Sequence, residues 1–314
     1  MILIHVEIVS AQVPHVVAFY NVENLMDVSD DPFCADEDML PLADKEWTTE
    51  RLHAKLHSIA DVISEMKMPI LMGLAEVENR QVLDMLVAQN KLLSAGYNVC
   101  HYDSSDRRGI DVALLYRPNY FTLQRSLAIK PNVGFSTRDM LVVWGELCDV
   151  DVLVVVVHFP SRIGGEQFTE PKRIACQREL RSVVDSVRKS EPHRRVIIMG
   201  DMNDNPSDKP IKDVLGAVAL CRKAPCHDLY NPFIGVKRRV SRGSSMYCGE
   251  WNLYDNIILS SEFVSGEELQ LLGRGGIFRN NHLLDSRRHP LPTYRGVEYL
   301  GGVSDHLPVF LYLQ

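Results

Sequence analysis

The stretch "DVLVVVVHFPSR", residues 151–162, decides the fold. Six apolar residues, Val152 to Val157, follow one another with no polar residue between them, five of them β-branched. A strand with one wet face alternates apolar and polar side chains, whereas a strand buried on both faces runs continuously apolar. This strand therefore needs a covering layer above and below. It ends on a histidine, a polar ring at the rim of whatever sheet it joins.

Working outward, seven further runs carry the same signature of β-branched or apolar residues bounded by turn formers. They are 16–22 "VVAFYNV", 70–77 "ILMGLAEV", 109–117 "GIDVALLYR", 140–147 "MLVVWGEL", 195–201 "RVIIMGD", 255–260 "DNIILS" and 307–313 "LPVFLYL". Between them lie amphipathic segments. In 48–67 the set Leu52, Leu56, Ile59, Ala60, Ile63 and Met66 recurs on one helical face, with Thr48 or Thr49 as cap. Residues 79–90 and 171–189 read as helices, the second with Pro171 at its start, and 207–216 as a short helix ended by Gly216. Eight strands with about four helices exceed a simple βαβ alternation and favour two packed sheets with helices outside, in an α/β protein. Strand signals run the length of the chain, so residues 16–314 read as one domain and 1–15 as an N-terminal extension or the remnant of a signal. The segments 23–47, 160–170 and 222–250 read as loops, and long loops in compact domains are often functional.

Composition excludes several classes. With 46% hydrophobic and 24% charged residues among 314, the chain is a folded globular protein rather than a disordered one. A net charge of −7 argues against coating nucleic acid by bulk attraction. Basic doublets at 107, 172, 237 and 287 are ordinary solvated surface. Seven cysteines without paired spacing suit a reduced compartment. No apolar run reaches the roughly 20 residues that span a bilayer, so no stable membrane insertion is expected. Residues 1–12 leave two readings open: a cytoplasmic chain with an extra strand, or an exported one if they end a longer signal peptide.

Polar groups gather at the strand ends. Asn21 and Glu23 end the first strand, Glu76 and Glu78 the second, His158 the fifth, Asp201 and Asn203 the sixth, while Asp305 and His306 open the last. Each taken singly has an ordinary explanation as turn, cap or edge residue; "MGDMNDNPSD" (199–208) by itself is a polar turn. The ordered set is harder to explain as structure alone. Asp201 and Asn203, two apart in an extended segment, are expected to point the same way.

The segments "FYNVENL", "GLAEVEN", "RRGIDVALLY", "VVVHFPSR", "IIMGDMNDNP", "YDNIILS" and "GGVSDHLPVF" resemble the successive motifs of the endonuclease/exonuclease/phosphatase superfamily, from about residue 16 to 313. The opening and the "HFPSRIGGE" stretch look like a bacterial branch of it. The resemblance implies a four-layer α/β sandwich, two mixed β-sheets flanked by helices, with the site at one rim. It implies Glu76 as principal metal ligand, aided by Asp305 and Asn21. A hard ion such as Mg²⁺, or Mn²⁺ in its place, suits these oxygen ligands. Asp201 would orient or deprotonate the attacking water and Asn203 would bond a phosphate oxygen. His306, held by Asp255, would contact the scissile phosphate, and His158 would donate to phosphate or to the leaving oxygen. Arg108 and Arg162 are weaker candidates for phosphate contacts. Asp204 and Asn205 read as turn and helix-leading residues, and Glu23 and Glu78 as supports or as acceptors for loop backbone.

The expected chemistry is in-line attack of water on a phosphate ester without a covalent intermediate. A phosphodiesterase of nuclease type leads, with DNA or RNA as substrate. Lys237, Arg238, Arg239, Arg242 and Tyr247 in the 222–250 loop favour an extended polyanion. A phosphomonoesterase or lipid or inositol-phosphate headgroup hydrolase is the enzyme alternative. A non-catalytic binding module on the same fold would have lost one of Glu76, Asp201, Asn203, Asp305 or His306, and all five are present.

Overall fold

The structure is a computed structural model that describes residues 13–220, 228–236 and 243–314. Residues 1–12, Lys237, Arg238, Arg239 and Arg242 lie outside the described residues. The chain opens a first sheet with β1 (His15–Leu25), β2 (Leu71–Val77), β3 (Asn98–His101) and β4 (Asp111–Tyr116). It then builds a second from β5 (Phe121–Ile129), β6 (Met140–Leu147), β7 (Val150–His158), β8 (Arg195–Asp201), β9 (Ala217–Val218) and β10 (Leu229–Tyr230). After a small hairpin of β11 (Ser245–Tyr247) and β12 (Glu250–Asn252), β13 (Asp255–Ser260) completes that sheet. The chain returns to the first sheet with β14 (Leu271–Ile277), adds the hairpin β15 (Tyr294–Arg295) and β16 (Glu298–Tyr299), and ends in β17 (Val309–Leu313). The sheet orders are β14-β17-β1-β2-β4-β3 and β5-β6-β7-β8-β13-β10-β9. Both are mixed: β1 runs parallel to β2 and β7 to β8, with antiparallel neighbours beyond them.

The continuous apolar run behaves as its chemistry requires. Val152, Val154 and Val156 point between the two sheets, where they meet Phe19, Met199, Ile257 and Leu311. Leu153, Val155 and Val157 point outward, against Cys176, Leu180 and Val184 of helix α3 (Glu166–Ser190). On the far side, Leu56, Ile59 and Ile63 of α1 (Thr49–Glu65) cover Tyr20 and Leu74, and α2 (Arg80–Val87) adds Val82, Leu83 and Leu86. Three apolar cores thus separate four layers, helix, sheet, sheet, helix: the four-layer α/β sandwich. Each such side chain, fully buried, contributes about 1.5–3 kcal/mol. Gly73 lets the sheets approach, because a Cβ there would run into Met199 and Phe19.

Thr48 caps α1 through its side chain, accepting from Arg51 N, and Asn79 caps α2 by accepting from Val82 N. Helix α3 starts at Glu166, five residues before the expected proline start. Pro171 sits within the helix, where its missing N–H forgoes one backbone bond near the first turns. Strands β3, β5 and β14 have no counterpart among the eight apolar runs. β5, "FTLQRSLAI", is an edge strand with mostly wet side chains, and β14, "LLGRGGI", is diluted by glycine. The 26–48 loop is pinned by Trp47, fully buried, whose indole donates to the Met26 carbonyl at 2.9 Å.

Candidate active site

Strand direction gathers the polar strand ends on one rim. β1 and β2 are parallel, as are β7 and β8, so their carboxyl ends, with Asn21, Glu76, His158 and Asp201, emerge on the same side. β13 runs antiparallel to β8 with Asp255 opposite Asp201, and β17 antiparallel to β1, so the starts of these strands share that rim. Asp305 and His306 precede β17 and arrive there too. Bulges aim the side chains: pairing of β1 with β2 breaks between Asn21 and Leu25, and Glu23, Asn24 and Glu76 take φ of 51°, 50° and 64°. Left-handed backbone at a non-glycine residue is costly and concentrates at functional sites.

The result is a pocket of about 250 Å³ faced by Glu76, Asp201, Asn203, Asp305, His158 and His306. Asp201 is its hub. Its Oδ2 lies 3.7 Å from His158 Nε2, 3.8 Å from His306 Nε2 and 3.1 Å from the Asn21 amide nitrogen, while Oδ1 accepts from Asn203 N at 3.0 Å. Burial, opposed by His306 and reinforced by the Asp255 charge, lifts its carboxyl to about 6. A carboxylate tuned toward neutrality is a competent base at physiological pH.

The two histidines are driven apart in charge. Burial holds His158 well below the ordinary imidazole range, and Arg138, Arg108 and His306 push the same way, so its ring is neutral. Burial also opposes protonation of His306, yet Asp255 and Asp201 outweigh it and hold the ring well above the usual value. His306 Nδ1 and Asp255 Oδ2 are 2.8 Å apart in a buried pair, which turns Nε2–H toward the pocket.

Glu76 Oε1 lies 3.2 Å from the Asn21 amide nitrogen and 3.8 Å from His158 Nε2, and Oε2 accepts from Asn24 N at 3.1 Å. Asp305 is exposed at the pocket mouth, yet the protein crowded around its carboxyl raises it, with His306 opposing and Glu76 and Asp201 adding to the shift. Several carboxylates sharing one pocket is a donor set that suits a hard cation, with Glu76 and Asp305 open to it. Asn21 is buried beneath these acids: its amide nitrogen donates to both Glu76 and Asp201 and holds the carboxylates in place, while its Oδ1 accepts from Glu23 N at 3.0 Å.

The turn after β8 departs from expectation. Asn203 does not continue the strand: with φ of 52° the extended-segment argument fails, and a turn brings it beside Asp201. One amide hydrogen of Asn203 goes to the Phe159 carbonyl at 3.0 Å, leaving the second for the pocket. Arg162 is buried and engaged, donating to the Asn203 carbonyl, Glu166, Asp204 and Asp208 at 2.6–3.0 Å. These bonds shape the turn, and Arg162 also lines the pocket. Asp204, in the bend after β8, is buried between Arg162 and Arg173. Arg108 lines the pocket and is half exposed. Glu78 accepts from Asp27 N at 2.5 Å, and Glu23 from Thr293 N and Asp305 N at 2.7 and 3.0 Å, so both bond backbone at loop starts.

Three contributors escaped the sequence reading. Lys55 is buried in α1 and donates to Thr293 Oγ1 and the Val303 carbonyl at 2.5 and 3.1 Å, beneath Glu23. Its spacing from Leu52 and Ile59 puts it on the apolar face, the signal that marks it. Arg138 is buried and donates to the carbonyls of His158 and Phe159. The Ser304 hydroxyl donates to the Asn21 carbonyl at 2.7 Å and accepts from His306 N at 3.0 Å, which ties the "SDH" turn to β1.

A profile of the Endonuclease/Exonuclease/phosphatase family matches residues 16–314. Comparison with curated proteins finds none that matches. Among solved structures, D. rerio TDP2 complexed with single strand DNA product is similar with a TM-score of 0.59 and 14% identity, over 96% of this chain and 100% of that one. A Bacteroides thetaiotaomicron endonuclease/exonuclease/phosphatase family protein gives 0.60 and 16%, over 96% and 95%. The mannosyl-6-phosphatase Bt3783 of the same organism gives 0.57 and 16%, over 96% and 99%.

Proposed function

Because this chain belongs to the endonuclease/exonuclease/phosphatase family, we propose that its rim pocket hydrolyses phosphate esters with a divalent metal, most readily as a phosphodiesterase of endonuclease type. The observation that carries this reading is Asp201, set between a neutral His158 and a charged His306. Asp201 takes a proton from the attacking water, whose oxygen forms a bond to phosphorus as the ester oxygen leaves in line. His306 directs Nε2–H at the phosphoryl group and is the proton source for the leaving oxygen, with Asp255 holding the ring's orientation and favouring its charge. His158 donates a hydrogen bond as a neutral ring, and Asn203 adds its remaining amide hydrogen without adding charge.

Glu76 and Asp305 would hold Mg²⁺ or Mn²⁺. When bound, the ion polarises a phosphoryl oxygen and offsets developing charge. Preference for a nucleic-acid diester draws on Arg108 at the pocket and on the sequence cations Lys237, Arg238, Arg239 and Arg242.

Turnover of bis(p-nitrophenyl) phosphate, p-nitrophenyl phosphate and supercoiled plasmid with Mg²⁺, Mn²⁺ or EDTA tests the reading. Metal-dependent plasmid nicking that Asp201→Asn abolishes is the expected result. Cleavage of the small diester alone keeps the mechanism and discards the nuclease form. Activity on the monoester alone replaces the diester reading with a phosphatase, and silence on all three removes catalysis.

A further inference from the structure

A second cluster lies outside the rim pocket, at the mouth of the β3–β4 hairpin. His101, the last residue of β3, pairs with Ala113 of β4. Continuing that antiparallel register past the end of the ladder places Asp103 opposite Asp111, so all three side chains share one face. Like charges opposite each other across a hairpin destabilise it. Here a histidine sits beside them. His101 Nδ1 is 3.8 Å from an Asp103 oxygen and Nε2 is 3.7 Å from Asp111 Oδ2.

His101 itself is the second observation. Its side chain is only 2% exposed, and Nε2 is buried with no hydrogen-bond partner among the described residues. An imidazole nitrogen left without a partner in a buried site is costly, and such exceptions call for an explanation. Asp111 is equally buried; one oxygen accepts from Ser104 N at 3.1 Å and the other faces the ring. Asp103 and Asp111 also edge a cavity of about 510 Å³ whose rim carries Asp31, Glu78 and Asp106 against one cation, Arg107, with Asp106 paired to Arg138 at 3.2 Å; the acids outnumber the cation. A phosphate would be repelled there; a cation would be drawn in.

We propose that His101, Asp103 and Asp111 form a second cation site, for a divalent transition-metal ion such as Mn²⁺ or Zn²⁺, separate from the carboxylates of the phosphoester pocket. One ring nitrogen and one oxygen from each aspartate lie within 4.8 Å of one another. Ligands about 2 Å from a tetrahedral ion are about 3.3 Å apart, so closure asks for a movement of up to about 1.5 Å. Asp103, with 81% of its side chain exposed, is free to make it. One imidazole with two carboxylates suits Mn²⁺ or Zn²⁺ better than an all-oxygen ion such as Mg²⁺.

The local charge states agree. Burial holds His101 below its usual range, Asp103 opposes this and Arg80 adds to it, so the ring keeps the lone pair a metal needs. Burial, opposed by hydrogen bonds from Ser104 and reinforced by Asp103 and Asp106, raises the Asp111 carboxyl to about 7, a cost that a bound cation relieves. Arg80 nearby is taken up by Asp84 at 2.7 Å. An ion here would also brace the 102–110 loop, which carries Arg108 to the rim pocket.

The site is independent of the hydrolase reading, and its test measures no turnover. Mn²⁺ bound per full-length chain, counted from the electron paramagnetic resonance of the free ion, should fall by one in Asp103→Asn, or that class of binding should weaken at least tenfold. His101→Ala should do the same, and the exposed position of Asp103 makes its variant safe for folding. Glu76→Gln should leave this class in place. Isotherms of Asp103→Asn and His101→Ala that coincide with wild type would overturn the site. So would loss of all bound Mn²⁺ in Glu76→Gln.

Discussion

His158 and Asp201 stand directly opposite each other in the register of the parallel strands β7 and β8, and their functional atoms, Nε2 and Oδ2, are 3.7 Å apart. The pairing that holds the sheet together is therefore the pairing that sets the proposed base beside a neutral imidazole.

Replacing Asp201 with Asn keeps the shape and removes the proton acceptor. A positioned general base contributes about 10²–10⁴-fold. Turnover of the small diester should drop by that factor while the thermal midpoint stays within a few degrees. Retention of the wild-type rate would take Asp201 out of the mechanism. Glu76→Gln should instead raise the metal concentration needed for half-maximal rate.

The His306–Asp255 pair gives stability a pH dependence with a defined sign. The folded-state value of His306 is raised above the ordinary 6.5, with Asp255 and Asp201 outweighing burial. Its contribution is therefore fully present below about pH 6.5 and is lost as pH rises through the folded value. In Asp255→Asn that loss should flatten, and the imidazole resonances of His306 should titrate at lower pH. An unchanged titration would show that Asp255 does not hold the ring charged.

Asp204 joins Arg162 at 3.0 Å and Arg173 at 2.9 Å, with the aspartate and Arg173 both fully buried. Removing one member of such a group strands the others and costs about 3–5 kcal/mol. Asp204→Ala should lose that much in urea unfolding. A loss below about 1 kcal/mol would return Asp204 to the role of a turn residue.

Gly200 has no room for a side chain, since a Cβ there would overlap the Val157 carbonyl oxygen on the neighbouring strand. Overpacking of this kind costs about 1–3 kcal/mol. Gly200→Ala should therefore separate β7 from β8 next to His158 and Asp201, lowering turnover as well as stability. A variant that is destabilised yet fully active would uncouple this register from the chemistry.

Much of the architecture was legible because burial writes itself into side-chain chemistry. Val152 to Val157 announced two covered faces, and the structure gives alternate residues to two different cores. The Thr48 cap and the short helix ended by Gly216 were readable from local chemistry, whereas the Asn79 cap was not named there. Strands β5 and β14 were not, because an edge strand owes its pairing to a neighbour distant in sequence rather than to its own pattern. Asn203 misled because alternation presumes extended backbone, and its φ is positive.

By itself, then, the sequence determined the layers, the domain-long order of the motifs and the residue types assembled at one rim, since these follow from local patterning and composition. Only the tertiary structure decided which groups face one another and in what state. It buried Arg162 against Asp204 and Asp208, turned the Asn21 amide onto two carboxylates, kept His158 neutral and His306 charged, and left His101 facing two aspartates. Those outcomes depend on desolvation and on charges brought together from far apart in the chain, and no local pattern encodes either.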